Sequence, residues 1–110
     1  MAMFGRDELS EALAAAAHPV RRDLLSLLRE RPARVTELAA RFDISLPAVS
    51  RHLKVLEAAG FVARKVRGRD HFIEARPDGL REVADWVERQ SAEWGERLLA
   101  LKQLMEAGDG

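Results

Sequence analysis

Apolar side chains recur at every seventh position late in the chain, at Leu80, Val87, Trp94 and Leu101, and Val83, Leu98, Leu104 and Met105 widen the stripe. That spacing predicts one helix of roughly 30 residues over 77–106, longer than most helices of a small domain. The whole chain has 110 residues, so its own fold holds nothing that covers such a length. A second copy would cover it. The helix is therefore expected to be a dimerisation element, with Leu80, Val83, Val87, Trp94, Leu98, Leu101 and Met105 at the interface and the first helix packed alongside. Trp86 and Trp94 are eight residues apart, so their directions differ by ~80° and one seam cannot hold both centrally. Trp94 belongs to the stripe. Trp86 falls on its flank, against the rest of the domain or a small apolar pocket.

Composition removes several classes. Apolar residues make up 47% of the chain, too many for a disordered one. The apolar runs are too short to cross a membrane, and the opening MAMFGRDEL carries charges where a signal peptide needs an apolar centre, so a cytoplasmic protein is expected. There is no cysteine, which excludes disulfides, thiolate zinc sites and thiol redox sensing together. The three histidines are scattered without a shared face, and no metal or cofactor is expected. Asp85, Glu88, Glu93 and Glu96 have no histidine partner and read as solvated or as intersubunit ion pairs. No nucleophile, base and orienting group converge, so no enzyme is expected.

Formal net charge is zero, but the charge is segregated. Residues 51–76 hold Arg51, Lys54, Arg64, Lys65, Arg67, Arg69 and Arg76 against Glu57, Asp70 and Glu74, a net +4. Residues 77–110 hold four cations against eight carboxylates, a net −4. A polyanion would therefore meet the middle of the chain.

The middle also has the right pattern for that task. Read as a helix over 46–59, the segment places Val49, Leu53 and Leu56 on one side and Pro47, Ser50, Arg51, Lys54 and Ala58 on the other. The second face is small, hydroxylated and cationic, able to lie close to a polyanion and present donors to base edges. Ser45 is the expected N-cap and Gly60 the left-handed residue that ends the helix. A short helix precedes it, carrying Leu38, Ala39 and Phe42 with Thr36 as its N-cap, and 43–45 make a tight connection. Two such helices joined by about three residues form a helix-turn-helix. Earlier still, residues 8–17 form a helix ending at His18, and Pro19 opens another with Val20, Leu24, Leu27 and Leu28 in one stripe. Residues 31–33 break it. After Gly60, 61–66 and 71–75 are β-prone, joined by 67–70 with Gly68 free to take positive φ. The expected fold is mainly α with one small β-hairpin: a single winged helix-turn-helix domain over 1–110, with the helix-turn-helix at 36–59, the wing at 61–75 and the dimerisation helix at 77–106.

Three stretches, AAAHPVRRDLLSLL at 15–28, VTELAARFDISLPAVSRHLKVLEAAGFV at 35–62 and VRGRDHF at 66–72, resemble the ArsR-type winged-helix repressors of bacteria over nearly the whole chain. Ser50-Arg51-His52-Leu53, followed by Leu56 and 59–62, is the most specific part. The pattern Trp86, Trp94, Arg97-Leu98 is similar to a subset without metal ligands. The resemblance implies a homodimer that binds an imperfect palindrome of double-stranded DNA in a promoter and blocks polymerase. Founding members sense metals through cysteines by the recognition helix or Asp/His pairs on the last helix. Both are missing here, so metal sensing is not expected.

Within that frame Ser50 and Arg51 are the expected base readers, while Lys54, Arg64 and Lys65 are expected to contact phosphate. Arg67 and Arg69 flank Gly68 at the wing tip, aimed at the minor groove or backbone. Thr36, Ser45, Pro47 and Ala48 complete the DNA-facing set. Leu46 offers at most a methyl contact to thymine, and His52, at the edge of the buried face, reads as a packed histidine. Two alternatives stand beside a plain repressor: a regulator gated by a small-molecule effector between the long helices, and a winged helix used to bind another protein.

Overall fold

The computed structural model describes residues 6–108. Along that span run α1 (Arg6–Ala16), α2 (Pro19–Glu30), β1 (Ala33–Arg34), α3 (Val35–Phe42), α4 (Leu46–Ala58), β2 (Val62–Arg67), β3 (Asp70–Ala75) and α5 (Pro77–Gly108). The five helices and the hairpin fall where the sequence places them. The third strand does not. Residues 31–33 were expected only to break a helix, yet Ala33 and Arg34 pair antiparallel with Ile73 and Phe72, giving the sheet order β1-β3-β2. A two-residue strand is too short to show any periodicity, and its pairing depends on a sheet edge formed 40 residues later.

Local chemistry explains the ends of the helices. His18 accepts the Val20 N–H at Nδ1 (3.1 Å), and Pro19 fills the first position of α2. Thr36 is not the cap of α3. The helix begins at Val35 from an extended Arg34, whose N–H donates to the Glu37 carboxylate at 3.3 Å. That bond, with the Arg31 guanidinium alongside, holds the Glu37 carboxyl below its ordinary pKa. Asp43, at φ 52°, turns the chain left-handed after α3, and Ile44 and Asp43 donate back to the Ala39 and Ala40 carbonyls.

The same pattern ends α4, where Phe61 and Gly60 (φ 78°) donate to the Leu56 and Glu57 carbonyls at 2.9 and 3.0 Å. This turn delivers Phe61 into the core, which it shares with Leu24, Leu38, Val49, Leu53, Leu56 and Ile73, all fully buried. It also anchors α5. Arg76 N–H donates to the Phe61 carbonyl (2.8 Å) and Gly79 N–H to the Gly60 carbonyl (3.2 Å). Gly79 lies so close that a Cβ there would stand 2.7 Å from the Ala59 carbonyl oxygen.

Beyond that anchor α5 leaves the rest of the molecule. Its first half turns Val83, Trp86 and Gln90 inward, all half-buried, with Val83 packed on the core. Val83, read from the sequence as widening the stripe at the dimer interface, therefore faces its own chain. Trp86 sits on the flank. From Ser91 to Ala107 every residue is exposed. The radius of gyration is 19.3 Å, against about 13 Å for a compact chain of this length. The projecting helix accounts for the excess.

Candidate nucleic-acid interface

The orientation of α4 is set by its apolar side. Val49, Leu53 and Leu56 are fully buried, at the i, i+4, i+7 spacing read from the sequence. With that face fixed, Arg51 and Lys54 are exposed, Ser50 and Ala48 are half-exposed, and Pro47 and Leu46 open the helix at the surface. Ser45 caps it, its hydroxyl accepting the Ala48 N–H at 3.2 Å. That bond occupies the Ser45 oxygen with the backbone.

The wing is tighter than expected. Arg67 pairs with Asp70, so only Gly68 and Arg69 turn, not four residues, and the positive φ (63°) falls on Gly68. A glycine at the first central position suits the twist of a two-residue hairpin. Side chains alternate across the two strands. Arg64, Val66, His71 and Ile73 therefore face one side, while Lys65, Arg67, Phe72 and Glu74 face the other.

Ion pairs decide which cations of the +4 segment are available. Arg64 reaches Glu57 of α4 at 3.2 Å with both side chains about two-thirds shielded, which ties the base of the wing to the recognition helix. Lys65 is 3.0 Å from Glu74, and Asp70 is 3.4 Å from Arg34, whose guanidinium also lies over the Phe72 ring. All three carboxylates of the segment are thus engaged. Arg51, Lys54, Arg67 and Arg69 make no ion pair among the described residues, and all four are exposed. Arg64 and Lys65, expected to meet phosphate, instead begin from bonds within the chain.

A concavity of about 310 Å³ opens between the start of α3, the start of α4 and the wing. It gathers Thr36, Ser50, Arg64 and Arg69 from the residues singled out by sequence. Arg34, Leu46 and His71 join them. Sequence reasoning missed Arg34 entirely. Its place here depends on β1, for which the sequence holds no local signal.

Behind α4 lies a basic junction. Arg21 donates to the Ala15 and Ala14 carbonyls at 2.8 and 3.0 Å, closing the end of α1, and its guanidinium lies 3.3 Å from His52 Nδ1. The His18 and His52 rings meet tilted at 53°, with their centroids 4.5 Å apart. Burial, then the neighbouring His18, Arg21 and Arg51, push the His52 pKa below its ordinary value. Among the described residues no three His, Asp or Glu side chains gather so as to hold a metal ion. No helix among them is long and apolar enough to cross a membrane.

A short helix, a tight left-handed turn, a second helix with a free cationic face and a β-hairpin beside it define a winged helix-turn-helix DNA-binding protein. The family model described as a helix-turn-helix domain matches residues 16–65. The HTH-type transcriptional regulator Rv2034 of Mycobacterium tuberculosis is 33% identical over 96 residues, covering 87% of either chain. The transcriptional repressor SmtB of the same organism is 42% identical over 64 residues, 58% of this chain and 47% of that one. A solved ArsR-like transcriptional regulator from Rhodococcus sp. RHA1 superposes with a TM-score of 0.79 at 33% identity, covering 91% of this chain and 94% of that one. The chain belongs to the ArsR family of transcriptional regulators. It is a DNA-binding regulator and not an enzyme.

Proposed function

We propose that the protein is a cytoplasmic homodimeric repressor that binds a palindromic operator in double-stranded DNA. The observation that carries the reading is the set of four exposed cations without an ion pair among the described residues, Arg51 and Lys54 on α4 and Arg67 and Arg69 on the wing. Two copies related by a two-fold axis would set their α4 helices about 34 Å apart, in successive major grooves. Ser50 and Arg51 read base edges, with Leu46 offering an apolar contact to a thymine methyl. Thr36, Pro47 and Ala48 lie against the backbone, and Ser45 serves mainly as the cap that aims the helix. Lys54, Arg67 and Arg69 contact phosphate or enter the minor groove. Arg64 and Lys65 act second, after exchanging Glu57 and Glu74 for phosphate.

The exposed side of α5 supports the dimer. Leu80, Val87, Trp94, Leu98, Leu101 and Met105 are each about half or more exposed, and so large an uncovered stripe marks an interaction surface. The likeness to SmtB, named a repressor, supports the direction of control.

Fluorescence anisotropy on sites selected from random DNA tests this. Arg51→Ala with Lys54→Ala should weaken operator binding more than about 100-fold, consistent with about 1–3 kcal/mol for a base contact plus a lost phosphate contact. With Lys54, Arg67 and Arg69 of each copy on phosphate, log K should fall against log salt with a slope of about −5. An unchanged affinity in the double variant, or a slope shallower than about −3, would overturn the reading.

A further inference from the structure

A groove of about 690 Å³ runs between α2 and the β3–α5 junction. Its lining is mainly apolar and includes Leu25 and Leu80, and no carboxylate lines it. Its charged lining consists of arginines: Arg22, Arg29 and Arg76. Arg22, Leu25, Ser26 and Arg29 follow one another at i, i+3, i+4 and i+7, so one face of α2 presents two guanidiniums around a hydroxyl and an apolar contact.

In a chain whose total charge is zero these cations stand out. Arg29 has no ion pair among the described residues, and Arg22 donates only to the Ala16 carbonyl, at 2.8 Å. Arg76 has a partner in Asp78 at 3.3 Å, but that pair is more than half exposed and weak. Structural arginines are usually answered by carboxylates. Among the described residues no carboxylate answers these two, and they stand beside a trough of a size that holds small organic ligands.

We propose that the groove between α2 and the start of α5 binds an amphipathic monoanion, a carboxylate head held by Arg22 or Arg29 with an unbranched alkyl tail laid over Leu25 and Leu80. Guanidinium–carboxylate bonds are among the stronger charge-assisted contacts, and the apolar floor adds area burial for the tail. The position also gives the ligand a route to DNA binding. Leu80 belongs at once to this groove and to the exposed stripe of α5. Arg76 and Pro77 form the joint where the wing passes into α5, tied by the Arg76–Phe61 backbone bond. An occupied groove bears on that joint and changes how far apart the two α4 helices stand. This last step rests on the dimeric repressor proposed above, whereas binding itself does not.

The test uses the full chain without DNA, titrated calorimetrically and by thermal melting with sodium decanoate and with 1-decanol, both below their aggregation limits. Decanoate should bind and raise Tm, and decanol, with the same tail, should bind about tenfold or more weakly. Arg29→Ala should weaken decanoate without lowering Tm of the unliganded protein, and Arg22→Ala with Arg29→Ala should weaken it by about tenfold in the calorimetry, with the loss of the Arg22–Ala16 bond lowering the unliganded Tm. Ser26→Trp, which fills the trough from an exposed position, should abolish decanoate binding. The proposal is overturned if decanoate does not bind, if decanol binds equally, or if none of these variants affects decanoate. It is also overturned if the groove variants weaken self-association while decanoate has no effect, since a second copy is then the occupant. In a parallel arm, decanoate should lower operator affinity. Binding without that loss removes the gating step. Absence of any operator binding removes the repressor reading and leaves the calorimetry interpretable.

Discussion

Helices α4 and α5 are both amphipathic, and the molecule treats them in opposite ways. In α4 Val49, Leu53 and Leu56 are fully buried by the chain's own elements, and the exposed side carries the cations Arg51 and Lys54. In α5 only the stretch from Pro77 to Gln90 turns side chains toward the domain, and beyond Gln90 apolar and charged residues alike face water. Trp94 is 58% and Leu98 62% exposed. Burying a large apolar side chain stabilises by about 1.5–3 kcal/mol, so six stripe residues left half-covered forgo on the order of 5–9 kcal/mol. A helix whose apolar face is satisfied at home is free to use its polar face for recognition. One whose apolar face is unsatisfied must find its partner outside the chain.

The most direct way to break that contrast is to charge the stripe. Trp94→Glu with Leu98→Glu should raise the dimer dissociation constant by about 1000-fold or more, since unpaired carboxylates would enter a buried seam. Sedimentation of that variant at micromolar concentration should show a monomer, with α1 to β3 still melting cooperatively. A stable dimer would place the interface elsewhere.

Two glycines sharpen the contrast within α5 itself. Gly79→Ala forces a Cβ against the Ala59 carbonyl and Phe61, and should cost about 1–3 kcal/mol in urea unfolding. Gly95→Ala meets nothing in the structure and lies to the side of the stripe, so it should stabilise by about 0.5–1 kcal/mol through helix propensity alone. If Gly95→Ala instead weakens the dimer, the seam is wider than the stripe and helices approach closely there.

The smallest effect belongs to the junction behind α4. The His52 pKa is lowered in the fold, so the unfolded chain takes up its proton first. The stability tied to neutral His52 is complete above the unfolded value of about 6.5 and is lost as pH falls below it. Melting from pH 7.5 to 5.5 should therefore lower Tm more in the parent than in His52→Gln. Parallel curves would mean that the contacts with Arg21 and His18 do not couple to folding.

Much of this was legible in the chain. The buried trio of α4, the Ser45 cap, the left-handed Gly60 and the length of α5 all follow from side-chain period and cap chemistry, which act within a few residues. Thr36 was misplaced as a cap because the extended Arg34 and Glu37 already supply that role. Arg34 was missed because two residues of β1 carry no signal without β3 to pair with. Val83 was read as widening the stripe toward a partner, but it lies on the side of α5 that packs against the chain's own core.

Charge shows the division most clearly. The sequence alone determined that residues 51–76 carry a net +4 and that a long apolar stripe follows, because both are sums over fixed residue types. Only the tertiary structure decided which cations make up that excess. Glu57, Asp70 and Glu74 each neutralise the cation the fold sets beside them, Arg64, Arg34 and Lys65, through contacts that exist only once helix, wing and third strand are assembled. Ion pairing falls off within a few ångströms, and distances of that size between remote residues are a property of the fold.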